Sequence, residues 1–312
     1  MADVAIIIGN GFDLDMEIPS KYSDFIESPE WKPLAHTLDM FPFDDYRNHS
    51  LIYHLQCAAN NKENWFDIEQ EIYQFVQKHK ECTGEEIRDI KSEFERLKDA
   101  LVKYLKRISE KRIEKTEMLS YQLYYYLQAC PLSIVKIYFN YTNPALYMPT
   151  SMYYNHCTFT YVHGSLKDND IVLGCDLQKG DQVNRQLSFM YKYNMLHKAN
   201  HIARNILEAK EIIFFGHSIN EMDFCYFREF FKVASAAPNP IRHLTIITYD
   251  EESERDIKDN IRNQGISVSD LYSNLWTFDF IHTKKFYEKD ESEVKKWNEM
   301  MNRLLAKDRH GI

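Results

Sequence analysis

Six short runs of apolar, β-branched and aromatic residues punctuate the chain, at Val4 to Ile8, Ser133 to Phe139, Thr158 to Val162, Glu211 to Phe215, His243 to Thr248 and Leu275 to Phe280. Several are continuously apolar rather than alternating, which is the pattern of strands covered on both faces in a parallel sheet. Between them the apolar period changes to that of helices. Met190, Tyr193, Leu196, Ala199, Ala203, Ile206 and Leu207 form a stripe leading into the run at Glu211, and a later helix is predicted from near Glu251 to near Gly265. This alternation predicts an α/β fold, a Rossmann-like, mostly parallel sheet flanked by helices.

From about Asp39 to Cys130 the alternation stops, and three helical patterns replace it. The clearest sets Ile87, Ile90, Phe94, Leu97, Leu101, Leu105 and Ile108 on one face. Strand partners for Val4 to Ile8 arrive only after Cys130, so the stretch reads as an insertion rather than an independent domain. The predicted organisation is an α/β domain made of residues 1–38 and 131–312, with an all-helical insertion, residues 39–130, packed on it.

Composition narrows the partners. With 44% hydrophobic and 14% aromatic residues in 312, the chain has the apolar surface that disordered chains lack. Its 38 Lys and Arg against 47 Asp and Glu leave a net charge of −9, which repels phosphate backbones and anionic lipids, so nucleic acid and membrane are not expected partners. The most basic stretch, residues 103–115, is interrupted by Glu110 and Glu114 at helical spacing and reads as a solvated helix face. Six cysteines without a C-x-x-C pair indicate reduced thiols rather than a zinc ribbon or a disulfide framework. The amino terminus has no signal-peptide pattern, and no apolar run approaches the ~20 residues that span a bilayer. The expectation is a soluble, cytoplasmic protein without a metal.

Candidate chemistry gathers where the strand runs end. The first run enters "GNGFDL" at 9–14, where glycines let a backbone approach a pyrophosphate; the third glycine of G-x-G-x-x-G is missing, and a purely structural turn reads equally well. Two further runs end in "IYFNYTNP" at 137–144 and "YVHGS" at 161–165. In an open α/β sheet such ends converge on one crevice, so Asn140 and His163 are candidates to meet there, although either alone also suits a turn. A fourth end reads "IIFFGHSINEMDFCYF" at 212–227; Asn220 breaks a G-x-S-x-G nucleophile elbow, leaving Ser218 as a hydroxyl donor to a ligand or a helix cap.

In order, GNGFDL, FNYT, VHGS and GHSINEMD resemble the AbiH family of bacterial phage-abortive-infection proteins, as does "NWFDIE" at 64–69. That family in turn resembles the sirtuin-type NAD-binding fold. Gly9, Gly11, Ile18 and Pro19 keep the spacing of the sirtuin glycine loop and its Ile-Pro pair. Tyr138 to Thr142 match the strand ending in T-Q-N-I-D, with Thr142 in place of the aspartate, and His163 and Gly164 match the catalytic H-G. The zinc-ribbon cysteines of protein deacylases are absent after His163.

The resemblance implies cleavage of the N-glycosidic bond of NAD+, with NAD+ as substrate and Asn140 and His163 as catalytic residues. Asn140 would hold water or a ribose hydroxyl, and the His163 imidazole would accept a proton. It implies cofactor contacts from Gly9, Asn10, Gly11, Phe12, Asp13, Tyr141, Thr142, Gly164, Gly216, His217, Ser218 and Asp223. Asp13 and Asp223 read either as ribose ligands or as helix caps. A phage-derived activator and a homo-oligomer go with this reading. The alternative is a sensor that binds NAD+ or ADP-ribose without turnover. A nuclease is disfavoured by the net charge and by the lack of a metal-carboxylate pattern.

Overall fold

The computed structural model describes residues 2–40, 48–61, 67–110, 112–129, 132–148, 157–177, 180–192 and 201–309. Residue contacts divide the chain into two compact units, one of Met1–Ile18, Arg112–Val162 and Lys198–Ile312, the other of Pro19–Lys111 and His163–His197.

The first unit is built on a parallel sheet of β1 (Val4–Ile8), β2 (Ile134–Tyr138), β3 (Cys157–Tyr161), β4 (Glu211–Phe215), β5 (Asn239–Thr248) and β6 (Leu275–His282). The spatial order is β3-β2-β1-β4-β5-β6. Each apolar run of the sequence lies on one of these strands, and the α/β, Rossmann-like reading holds. Ile8 stands opposite Tyr138 on one side and Phe215 on the other, so the ends of β1, β2 and β4 lie level. Strand order reverses between β1 and β4, the place where open α/β sheets receive ligands.

Both sheet faces are covered. Side chains two apart, such as Ala5 and Ile7, Ile212 and Phe214, and Leu244 and Ile246, share a core with Ile206, Phe230, Phe231, Ile257, Ile261 and Leu271 from the flanking helices. On the opposite face Phe12 packs edge-on to Phe215 and Tyr124, with ring centroids 5.1 and 6.0 Å apart. The carboxyl-terminal helix Glu291–Arg309 brings Arg303 to the fully buried Glu211 at 3.1 Å. A buried carboxylate at the start of β4 is thereby paired, as a charge removed from water must be.

The stripe expected from Met190 to Leu207 is interrupted. Arg185–Met190 is a short 3-10 helix, Tyr191 bridges to Cys175, and of the described residues Ile202–Glu208 is α-helical; Tyr193, Leu196 and Ala199 lie outside the described residues. The cause is local. The Cys175 N–H donates to the Met190 carbonyl at 2.9 Å and the Lys192 N–H to the Cys175 carbonyl at 3.0 Å, which draws this backbone into strand-like pairing.

The second unit is helical, with Tyr22–Ile26, Lys32–Met40, Leu51–Asn61, Ile68–Lys78 and the long helix Gly84–Ser109. The long helix starts at a capping box between Thr83 and Glu86 and buries Ile90, Phe94, Leu97, Leu101, Leu105 and Ile108 of the face read from the sequence, with Ile87 half-buried. Its Tyr104 packs on Phe25 at 5.4 Å. The division of the chain differs from the sequence-based one at three places, the first being residues 19–38, which go with the helices. Helix Leu119–Ala129 goes with the sheet, where Ser120 donates to Asp15 from its N–H at 2.9 Å and its hydroxyl at 2.6 Å. Residues 163–197 go with the helices, tied by Lys192 to Glu69 at 2.7 Å and by Tyr73 to Asp181 at 3.1 Å. Of "NWFDIE", residues 64–66 lie outside the described residues; Asp67 caps helix Ile68–Lys78 by accepting from the Glu69 N–H at 2.9 Å. Among the described residues no helix is long and apolar enough to cross a membrane.

Candidate functional site

The ends of β1 and β4 lie backbone against backbone. The Gly9 N–H donates to the Phe215 carbonyl at 3.0 Å and the Gly11 N–H to the Gly216 carbonyl at 2.9 Å. A side chain would not fit between them: a Cβ on Gly216, at φ +62°, would lie 2.4 Å from the Gly11 Cα and carbonyl carbon. The glycines of the two motifs are therefore explained by each other. What they leave partly open to solvent is the edge formed by Asn10, Gly11 and Gly216, with Ser218 exposed beyond it. Phe12 contributes a ring to the core, not to this edge.

One turn into the helix Asn10–Asp15, Asp13 is fully buried and gathers the end of β2. The Tyr147 hydroxyl donates to its Oδ1 at 2.5 Å, the Asn140 amide to its Oδ2 at 3.1 Å, and the Thr142 hydroxyl also donates to Oδ2. The same Asn140 amide nitrogen donates to Thr142 Oγ1 at 3.0 Å. Burial pushes the Asp13 carboxyl above its ordinary value, and the bonds from Thr142, Tyr147 and Asn140 pull it back. Tyr147 is raised well above the ordinary tyrosine value by burial and by the Asp13 charge.

This network fixes which way the Asn140 amide faces. Both amide hydrogens are spoken for, while Oδ1, an acceptor with two lone pairs, is buried without a hydrogen-bond partner among the described residues. Buried acceptors are usually satisfied, so an oriented acceptor left open at a strand end marks a place for a donor from a ligand or a water. Tyr141, next in the motif, is itself buried.

Beyond β4, His217 is buried among aromatic rings, with centroids 4.4 Å from Phe139 and 5.2 Å from Phe227. Its Nδ1 accepts from the Ile219 N–H at 2.9 Å, which assigns the proton to Nε2, and Nε2 faces Asp223 Oδ2 at 3.6 Å. Ile219 holds φ +49°, an unfavourable conformation for a β-branched residue, and Gly216 is also left-handed. Such strain persists where the surroundings over-determine it, and it collects at functional sites.

His163 and Gly164 belong to the second unit, whereas Asn140 belongs to the first. The buried His163 accepts the Val172 N–H on its carbonyl at 2.8 Å, and the Ser165 N–H donates to Asp170 Oδ1 at 2.9 Å. Gly164, at φ +73°, lies where a Cβ would meet the Asp170 carbonyl oxygen at 2.0 Å. The "HGS" glycine thus serves a closed loop.

Within the first unit the structure brings Asp13, Asn140 and Thr142 into one network, and Gly9, Gly11 and Gly216 into one contact. Tyr147 was missed by sequence reasoning. Its signal was the "TNP" start at 142–144: Asn143 caps the short helix Pro144–Tyr147 by accepting the Ala145 N–H at 2.9 Å, which carries the tyrosine back to Asp13.

A parallel sheet in this order, with polar motifs at the level ends of its central strands, defines a Rossmann-like α/β protein. The chain belongs to the bacteriophage abortive infection AbiH family, whose model matches residues 5–241. Membership gives it a role in phage abortive infection. Comparison with curated proteins returns no match.

Proposed function

We propose that the chain acts in phage defence by hydrolysing NAD+ to nicotinamide and ADP-ribose, with the dinucleotide at the ends of β1, β2 and β4. The observation that carries the reading is the Asn140 amide, locked by Asp13 and Thr142 with its buried Oδ1 left unpaired among the described residues. An acceptor so held suits a ribose hydroxyl or the attacking water. The partly open edge at Asn10, Gly11, Gly216 and Ser218 suits the pyrophosphate.

The reaction asks little of the protein beyond placement. Nicotinamide leaves as a neutral base from a cationic ring, so the glycosidic bond breaks with its electron pair going to the pyridine nitrogen. Water adds to the ribose carbon and releases one proton. Positioning that water and stabilising the oxocarbenium-like state supply most of the rate. In this reading the chain works as a homo-oligomer under a phage-derived activator.

Incubation of the purified protein with NAD+, with and without infected-cell extract, tests the proposal. Nicotinamide release that falls more than ~100-fold in Asn140→Ala supports it. Tight NAD+ or ADP-ribose binding by calorimetry without release would assign the site to a sensor instead.

A further inference from the structure

We propose that His49, Cys82 and Glu86 in the helical unit form a zinc site, with a thiolate, an imidazole and a carboxylate as protein ligands and water in the remaining position. One ligand atom from each of the three lies within 4.8 Å of the other two, and His49 Nε2 is 3.3 Å from Glu86 Oε1. A small movement of two side chains brings such a set to the spacing of a tetrahedral site. Cys82 and Glu86 straddle the start of helix Gly84–Ser109 one turn apart, and His49 comes from the segment just before helix Leu51–Asn61.

The donor chemistry selects the ion. A thiolate with an imidazole favours zinc over magnesium or calcium, and three protein ligands leave an open position. Cys82 is buried, whereas His49 and Glu86 are partly exposed, so an ion has a route in.

The surroundings hold the ligands as outer-shell groups do in metal sites. Glu86 also accepts the Thr83 N–H at 3.3 Å, which fixes its carboxylate across the helix start. His79 packs edge-on to His49 at 5.7 Å, and its Nε2 lies 2.8 Å from the Asn48 carbonyl oxygen, which steadies the backbone bearing His49. Next to them, the Ser50 hydroxyl and Ile52 N–H donate to the buried Glu93 at 2.9 and 3.1 Å. The ion would add a second clamp between the same two segments, and the test of the site is independent of NAD+ turnover.

The experiment uses the full chain. Zinc content is measured by mass spectrometry after dialysis, and cobalt(II) titration is followed through the thiolate-to-cobalt charge-transfer absorption. One metal per chain is expected, with the band present in wild type and in the Cys225→Ser control and absent in Cys82→Ser. His49→Gln, checked for folding by circular dichroism, is expected to weaken cobalt binding more than ~100-fold, beyond what outer-shell changes cause. Wild type that holds no zinc and gives no cobalt band overturns the site, as does a band that survives in Cys82→Ser.

Discussion

Gly216 meets two constraints at once, a left-handed φ of +62° and a backbone 2.4 Å from where its Cβ would lie. Relief would require the ends of β1 and β4 to separate, so Gly216→Ala is expected to cost more than ~3 kcal/mol in denaturant unfolding, well above the usual point-mutant loss. Tyr147→Phe is the milder probe. It removes one hydrogen bond to the buried Asp13 and is expected to cost about 2 kcal/mol, the range for bonds to charged groups. A loss below about 0.5 kcal/mol would mean that Tyr147 does not hold Asp13. None of this was legible at residue level in the sequence. Asp13 and Tyr147 are 134 positions apart, and the glycine turn looked like a phosphate loop because its internal partner, Gly216, is equally remote in the chain.

Strands β1, β2 and β4 were legible because each is buried along its whole length, which writes a near-continuous apolar run into the sequence, whereas the partly exposed β3 was legible from its β-branched and aromatic residues. Helix Gly84–Ser109 was legible from its single apolar face and helix Glu251–Asn263 from its acidic start. The stretch around Tyr191 was not, because its conformation follows backbone pairing with Cys175, which leaves no periodicity. Helix Ile68–Lys78 offers a test at this scale. Its cap Asp67 is raised from 3.8 to about 6, first by burial and then by the Glu69 charge. The folded state therefore holds the proton more tightly than the unfolded one, so this group's stabilising contribution is full below pH ~4 and is lost as pH rises through about 6. Asp67→Asn keeps a good cap and removes the buried charge. Its expected effect in urea unfolding is a gain of up to about 3 kcal/mol at pH 7 that vanishes near pH 4. An equal effect at the two pH values would show that the burial of this charge does not set the balance.

For the molecule as a whole, the order of strand-end motifs carried more information than any motif alone. It pointed to a Rossmann-like sheet and to the AbiH family, and the strand order and the family match over residues 5–241 agree. The unit boundaries were less legible. Nothing in the composition of 163–197 marks it as belonging with helices that precede it by about a hundred residues, since the ties are single pairs such as Lys192 with Glu69. The central claim is that the oriented Asn140 amide serves cleavage of NAD+. Its most direct test is free nicotinamide measured by chromatography after incubation of wild type and Asn140→Ala with NAD+ and infected-cell extract. The expected result is release by wild type and a more than ~100-fold slower release by a folded Asn140→Ala. Equal release by the two proteins, or no release by either, would contradict the account.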